Sequence, residues 1–160
     1  TAVNTGSTST SYTITGLTNG TPYQFKITAI NAAGDSSVST ASSATTPVTV
    51  PDSPTNPSAT GGHLKAVVTW VAPSETGGSA ITGYKIEQSV DAGSAWTDAV
   101  ADTGDTLVTN TVTGLTNGQA IIFRISTITA VGTSASPSAS SVSVVSATFV
   151  VFTTVYLFFS

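Results

Sequence analysis

"TGLTNG" occupies residues 15–20 and recurs at residues 113–118. A Gly-rich hexapeptide suggests a phosphate-cradling loop, but neither copy is followed by Lys-Ser or Lys-Thr, and neither opens a helix whose N-terminus faces an anion. The flanking residues point elsewhere. Around the first copy Tyr12, Ile14, Tyr23, Phe25 and Ile27 alternate with Thr13, Gln24 and Lys26; around the second, Val112, Ile121, Phe123 and Ile125 keep the same rhythm. A period of two marks half-buried strands. Leu-Thr-Asn-Gly therefore reads as the corner between two strands, with glycine taking backbone angles that other residues resist.

The motif belongs to a longer repeat. A shift of 98 residues lays 1–47 on 99–145 without a gap, matching Thr5-Gly6 to Thr103-Gly104, Phe25 to Phe123, Ile27 to Ile125, Ile30 to Ile128 and Gly34 to Gly132. So long a period suits tandem β-sandwiches; solenoid repeats are much shorter. Between the copies lies "TTPVTVPDSPTNPSAT", residues 45–60, whose Pro47, Pro51, Pro54 and Pro57 block ladder donation and stiffen an extended connection. Two further alternating stretches follow, "HLKAVVTWVAP" and "ITGYKIEQSV", separated by "SETGGSA". Ala66, Val68 and Trp70 share one face of the first; Tyr84 and Ile86 share one face of the second.

Composition supports an all-β chain. Only 8% of the 160 residues are charged, 39% are hydrophobic, and much of the rest is Ser, Thr, Gly and Asn. β-branched Thr and Val suit strands, while Gly and Asn suit turns. Four Lys and Arg against eight Asp and Glu give a net charge of -4, which excludes the basic footprint that nucleic acid requires. Cysteine is absent, so no disulfide framework or thiolate metal site is expected. The opening "TAVNTGSTST" has neither an initiator methionine nor a signal peptide, which reads as a fragment or processed product.

Taken in order, a Pro-rich start, the Trp of "VTWVAP", a "GG" loop, "ITGYKIEQS", the "TGLTNG" corner and a Gly-containing last turn resemble the fibronectin type III family. The resemblance implies an immunoglobulin-like antiparallel β-sandwich of seven strands over residues 51–147. It also implies a partial copy over 1–47, from about strand C′ or E through G, with a Pro-rich linker and domain entry at 48–56. The family places a tyrosine six residues after the corner leucine, its hydroxyl bonding back to the backbone. Tyr23 fits this after Leu17, but Ile121 stands there after Leu115. The second corner is therefore expected to rest on apolar packing alone.

No residue set supports catalysis. His63, the only histidine, lacks a nucleophile partner and reads as a surface residue. Asp98, Asp102 and Asp105 crowd one segment, but "DAVADTGD" is not an EF-hand loop and the first copy has Asn4 and Ser7 at two of these positions. Glu75 and Glu87 fall in a loop and on an outward strand position, which does not suit a glycosidase pair. Trp70 alternates inward with Val68 as a core residue. Trp96, in "GSAWTDAV", is the one binding candidate: a stacking platform for sugar or peptide, set against the packed reading that its large apolar area favours. Asn19-Gly20-Thr21 matches the N-glycosylation pattern, and Arg-Gly-Asp is missing.

The sequence thus predicts a module without enzymatic activity, catalytic residues, metal or cofactor: a spacer, adhesion or accessory domain of an extracellular or cell-surface protein. Protein or polysaccharide are the expected partners, with self-association through the incomplete repeat. Two alternatives stand beside it: the end of a membrane-anchored receptor, or accessory domains of an extracellular carbohydrate-active enzyme. The hydrophobic tail 148–160 is too short for a usual helical span of about 20 residues. It reads first as an end artefact, then as a truncated anchor, then as an extra strand.

Overall fold

The computed structural model describes residues 3–135, 139, 143 and 144, so the tail 148–160 lies outside the described residues. Among them there is no helix. The strands are β1 (Ile30–Asn31), β2 (Gly34–Asp35), β3 (Thr55–Gly62), β4 (Lys65–Val71), β5 (Ile81–Ser89), β6 (Thr97–Val100), β7 (Thr109–Thr113), β8 (Ala120–Thr129), β9 (Gly132–Thr133) and β10 (Ser143–Val144).

From Thr55 onward two antiparallel sheets form a sandwich. One has the order β3-β4-β7; the other has β10-β8-β5-β6, with β9 also on β8. Period-two patterning decides the faces. Ala66, Val68 and Trp70 on β4 and Val112 on β7 point inward, opposite Tyr84 and Ile86 on β5 and Ile121, Phe123 and Ile125 on β8; all are buried, as is Leu115. At the centre Trp70 meets Tyr84 edge-on, ring centres 5.0 Å apart and planes at 64°. Such pairing adds about 0.5–1.5 kcal/mol to the burial of the two rings.

The two corners are closed differently. In the first, the Thr18 N–H donates to the Tyr23 hydroxyl at 3.0 Å, and this bond lowers the phenol below its ordinary value. In the second, Ile121 packs into the core, but the expectation of apolar packing alone is wrong. The Leu115 N–H donates to the Leu64 carbonyl at 3.1 Å, and Asn117 Oδ1 accepts the Leu64 N–H at 3.0 Å. The turn between β3 and β4 takes the place of the missing hydroxyl, because it presents polar main-chain groups that need partners.

The first repeat is less regular. Tyr12 and Ile14, expected on a half-buried strand, are exposed and belong to no strand. Their counterparts Asn110 and Val112 pair with Val68 and Ala66 of β4, and no equivalent strand lies beside Tyr12 among the described residues. Tyr23 and Phe25 are half-buried, and Ile27 is 74% exposed. The segment beyond the corner still folds back on itself. Tyr23 and Thr45 exchange two main-chain bonds at 2.9 Å, and Ser42, Ser39 and Ser36 donate to the carbonyls of Phe25, Ile27 and Ala29 at 2.9 Å each.

The return bonds come from the same residues through a different atom. The N–H groups of Phe25, Ile27 and Ala29 donate to Oγ of Ser42, Ser39 and Ser36, each at 3.0 Å. One side advances by two residues while the other advances by three, so a bulge follows every pair. The serine hydroxyl supplies the acceptor that the bulge displaces. Among the described residues the second sandwich repeats the device at one position: the Thr127 N–H donates to Ser134 Oγ at 3.0 Å, and the Ser134 N–H to the Thr127 carbonyl at 2.9 Å.

Candidate functional site

Charge is scarce in this chain, and four of its twelve Lys, Arg, Asp and Glu side chains meet on the outer face of the β6-β5-β8 sheet. Because Tyr84, Ile86, Phe123 and Ile125 point inward, Lys85, Glu87 and Arg124 point outward, and the register sets Glu87 opposite Arg124 on one side and Asp98 on the other. Arg124 Nε donates to Glu87 Oε2 at 2.7 Å and Nη2 to Oε1 at 2.9 Å. Lys85 Nζ sits 2.9 Å from Asp98 Oδ1 and 3.5 Å from Glu87 Oε1, so a cation separates two neighbouring carboxylates. Hydrogen bonding from Arg124 holds Glu87 below the usual glutamate value against the opposing effect of burial. The bond to Asp98 raises the Lys85 ammonium.

Trp96 completes the cluster. The turn before it is braced by Asp91, whose Oδ1 accepts the Ser89 hydroxyl at 2.6 Å and the Ala95 N–H at 2.9 Å, while Ser89 Oγ accepts the Gly93 N–H at 2.8 Å. The indole Nε1 donates to the Gly93 carbonyl at 3.1 Å, and the Arg124 guanidinium carbon lies 4.4 Å from the ring centre. Cation–π contact of this kind contributes about 0.5–1 kcal/mol at exposed sites. The half-buried ring is thereby fixed flat under a cation. Beside Gly93 lies a hollow of about 290 Å³ lined by Ser89, Val90, Asp91, Ala92, Ala120 and Ile122. The result is a rigid patch combining an aromatic edge, a shallow apolar hollow and balanced charge.

The other sequence candidates lie apart. His63 is exposed, with Nδ1 3.0 Å from Asn117 Nδ2 at the second corner. Asp98 pairs with Lys85, whereas Asp102 accepts the Gly104 N–H at 2.9 Å and Asp105 the Leu107 N–H at 3.0 Å, so two of the three acids close their own turns. No group of three or more potential metal-ligating His, Cys, Asp or Glu residues occurs among the described residues. Glu87 is committed to Arg124 and Lys85, while Glu75 stands in the loop before β5. A second hollow, about 400 Å³, is lined in part by Thr18, Asn19, Thr49, Asp52 and Glu75, between the first corner and that loop. Asn19, of the glycosylation pattern, is exposed at its rim.

Sequence reasoning missed the Lys85–Glu87–Asp98–Arg124 network. One signal was available: in a chain with four Lys and Arg, Lys85 and Arg124 both fall at outward positions of strongly alternating strands.

The family model for the fibronectin type III domain matches residues 2–45 and 52–144. The chain is 38% identical over 112 residues to Exoglucanase B of Cellulomonas fimi and 39% identical over 77 residues to a Kelch domain-containing protein of Saccharolobus solfataricus. These cover 64% and 48% of this chain but 10% of each relative, so the chain spans about a tenth of the length of the curated relatives it matches. Among solved structures, titin domains A168–A170 superpose with a TM-score of 0.58 at 23% identity, covering 62% of this chain and 34% of that one. Titin module A71 from human cardiac muscle gives 0.51 at 27% identity, covering 59% of this chain and 91% of that one. The likeness to A168–A170 concerns the fold. With the family model covering both repeats, the chain belongs to the fibronectin type III domain family, whose members are typically structural or binding modules.

Proposed function

We propose that this chain is a non-catalytic spacer and binding module of a secreted or surface protein, engaging protein or polysaccharide through the outer face of the β6-β5-β8 sheet. The observation that carries the reading is the mutual commitment of the ionic groups on that face. Glu87 receives two bonds from Arg124 and a contact from Lys85, which leaves it unsuited to proton transfer. Fixed aromatic and guanidinium groups instead make a preorganised contact surface, where little side-chain freedom is lost on binding. The exposed apolar residues of the first repeat are a second contact surface, suited to self-association.

A narrower reading, accessory domains of an extracellular carbohydrate-active enzyme, is favoured by the match to Exoglucanase B. The membrane-anchored alternative rests on residues 148–160, outside the described residues. The test is co-sedimentation of the chain with insoluble polysaccharides, alongside assays of sugar release. Binding lost in Trp96→Ala, with no turnover, is the expected result. Reproducible turnover abolished by His63→Ala or Glu75→Gln contradicts the proposal.

A further inference from the structure

The Thr76-Gly77-Gly78 turn before β5 is a meeting place of main chains. The Thr49 N–H donates to the Gly77 carbonyl at 2.9 Å and the Asp52 N–H to the Glu75 carbonyl at 3.0 Å, which ties the linker to the complete module. The Ser53 hydroxyl adds a bond to the Ala135 carbonyl at 2.6 Å. At the other end the Gly20 N–H of the first corner donates to the Pro47 carbonyl at 2.9 Å. A proline-stiffened connection with bonds at both ends has little freedom left.

The corner also touches the turn directly. A Cβ on Gly78 would collide with the Gly20 nitrogen and stand 2.8 Å from Gly20 Cα and 2.9 Å from the Asn19 carbonyl carbon. A Cβ on Gly77 would collide with the Thr49 carbonyl oxygen and stand 2.8 Å from that of Val50. Each obstacle is backbone, which has no rotamer to swing aside. With the 400 Å³ hollow open beside it, the contact is narrow, and the glycine pair faces the linker at Thr49 and Val50 through Gly77 and the first corner at Asn19 and Gly20 through Gly78.

We propose that the Thr76-Gly77-Gly78 turn is the docking surface for the Thr18-Asn19-Gly20 corner of the preceding repeat, and that this glycine pair fixes the angle between the two in solution. This deepens the spacer reading, on which it rests for its purpose: a stiff joint transmits orientation, whereas a loose one supplies only length. Contact between main chains at the joint makes the angle insensitive to salt.

The sequence contains no cysteine, so Ser37→Cys with Ala101→Cys places two spin labels uniquely, one in each repeat of the full chain. Electron–electron resonance is expected to give one narrow distance distribution, unchanged between low and high salt. Gly78→Ala should broaden it about twofold or more, as a freed linker samples more space. Gly118→Ala is the control, because Gly118 has a φ of 80° against 83° for Gly78 but no atom within 4 Å of an added Cβ. It should leave the width unchanged. A broad distribution in the parent, or an unchanged one in folded Gly78→Ala, overturns the proposal. If Gly78→Ala does not fold, amide exchange in the parent decides: Gly20 and Thr49 should exchange at least about tenfold more slowly than in an unstructured peptide. Unprotected amides there contradict the joint. A failed joint leaves the polysaccharide and turnover assays untouched, so the two readings fail separately.

Discussion

Arg124 grips Glu87 through two nitrogens, at 2.7 and 2.9 Å, while its guanidinium carbon lies 4.4 Å from the centre of the Trp96 ring. One side chain thus joins β8, β5 and the turn before β6. Arg124→Ala is expected to lower stability by about 1–3 kcal/mol, the range for charged hydrogen bonds whose loss strands a partner. Arg124→Lys should recover only part of this, because an ammonium cannot reproduce the two-pronged geometry. Urea denaturation of residues 51–147 reads both; equal stability of Lys and Arg at this position would count against a role for the fork.

Acid should weaken this cluster in a defined direction. Glu87 is held below its ordinary value of 4.5 in the folded state, so its contribution is fully present above that value and is lost as pH falls through the lowered one. Glu87→Gln should remove that part of the acid dependence while lowering stability at neutral pH. Denaturation midpoints measured across the acid range check the difference between the two profiles.

The serine ladder yields a paired prediction. Ser134 Oγ accepts the buried Thr127 N–H, so Ser134→Ala strands that donor and should cost about 1–3 kcal/mol. Ser39 does the same for Ile27 at an exposed position where water can substitute, and Ser39→Ala should change stability by less than about 0.5 kcal/mol. Thermal unfolding of the full chain compares them, and equal effects would mean that burial does not set the value of this bond.

Apolar exposure separates the two repeats. Ile27, Ile30 and Val38 are 74%, 60% and 58% exposed, whereas Ile125, the counterpart of Ile27, is fully buried. The full chain should bind hydrophobic dye and scatter more light than residues 51–147 alone, and Ile27→Asp with Ile30→Asp should reduce both signals. Identical dye binding with and without residues 1–47 would assign the association to other surfaces.

The second repeat was legible because apolar residues recur at every second position along β4, β5 and β8. Val68 and Trp70, Tyr84 and Ile86, and Phe123 and Ile125 are each two residues apart, and each pair is buried as that spacing requires. The tyrosine of the first corner was legible from its distance to Leu17. The clamp on the second corner was not, since Leu64 and Asn117 are joined only by the folded β3–β4 turn. The ionic cluster needed the register of strands that are not consecutive in sequence, and the hydroxyl ladder looked like low-complexity Ser and Thr. For Tyr12 and Ile14 the alternation was present, but a strand needs a neighbour to pair with, and none lies beside them among the described residues.

The central proposal is that the segment 51–147 folds on its own, its β-sandwich built around Trp70 and Tyr84. The most direct measurement is equilibrium unfolding of this segment alone, followed by far-ultraviolet circular dichroism and tryptophan fluorescence. The account predicts a β-sheet spectrum, one cooperative transition shared by both probes, and a loss of about 3–5 kcal/mol in Trp70→Ala from the cavity left in the core. A helical spectrum, or gradual unfolding with separate transitions for the two probes, would contradict it.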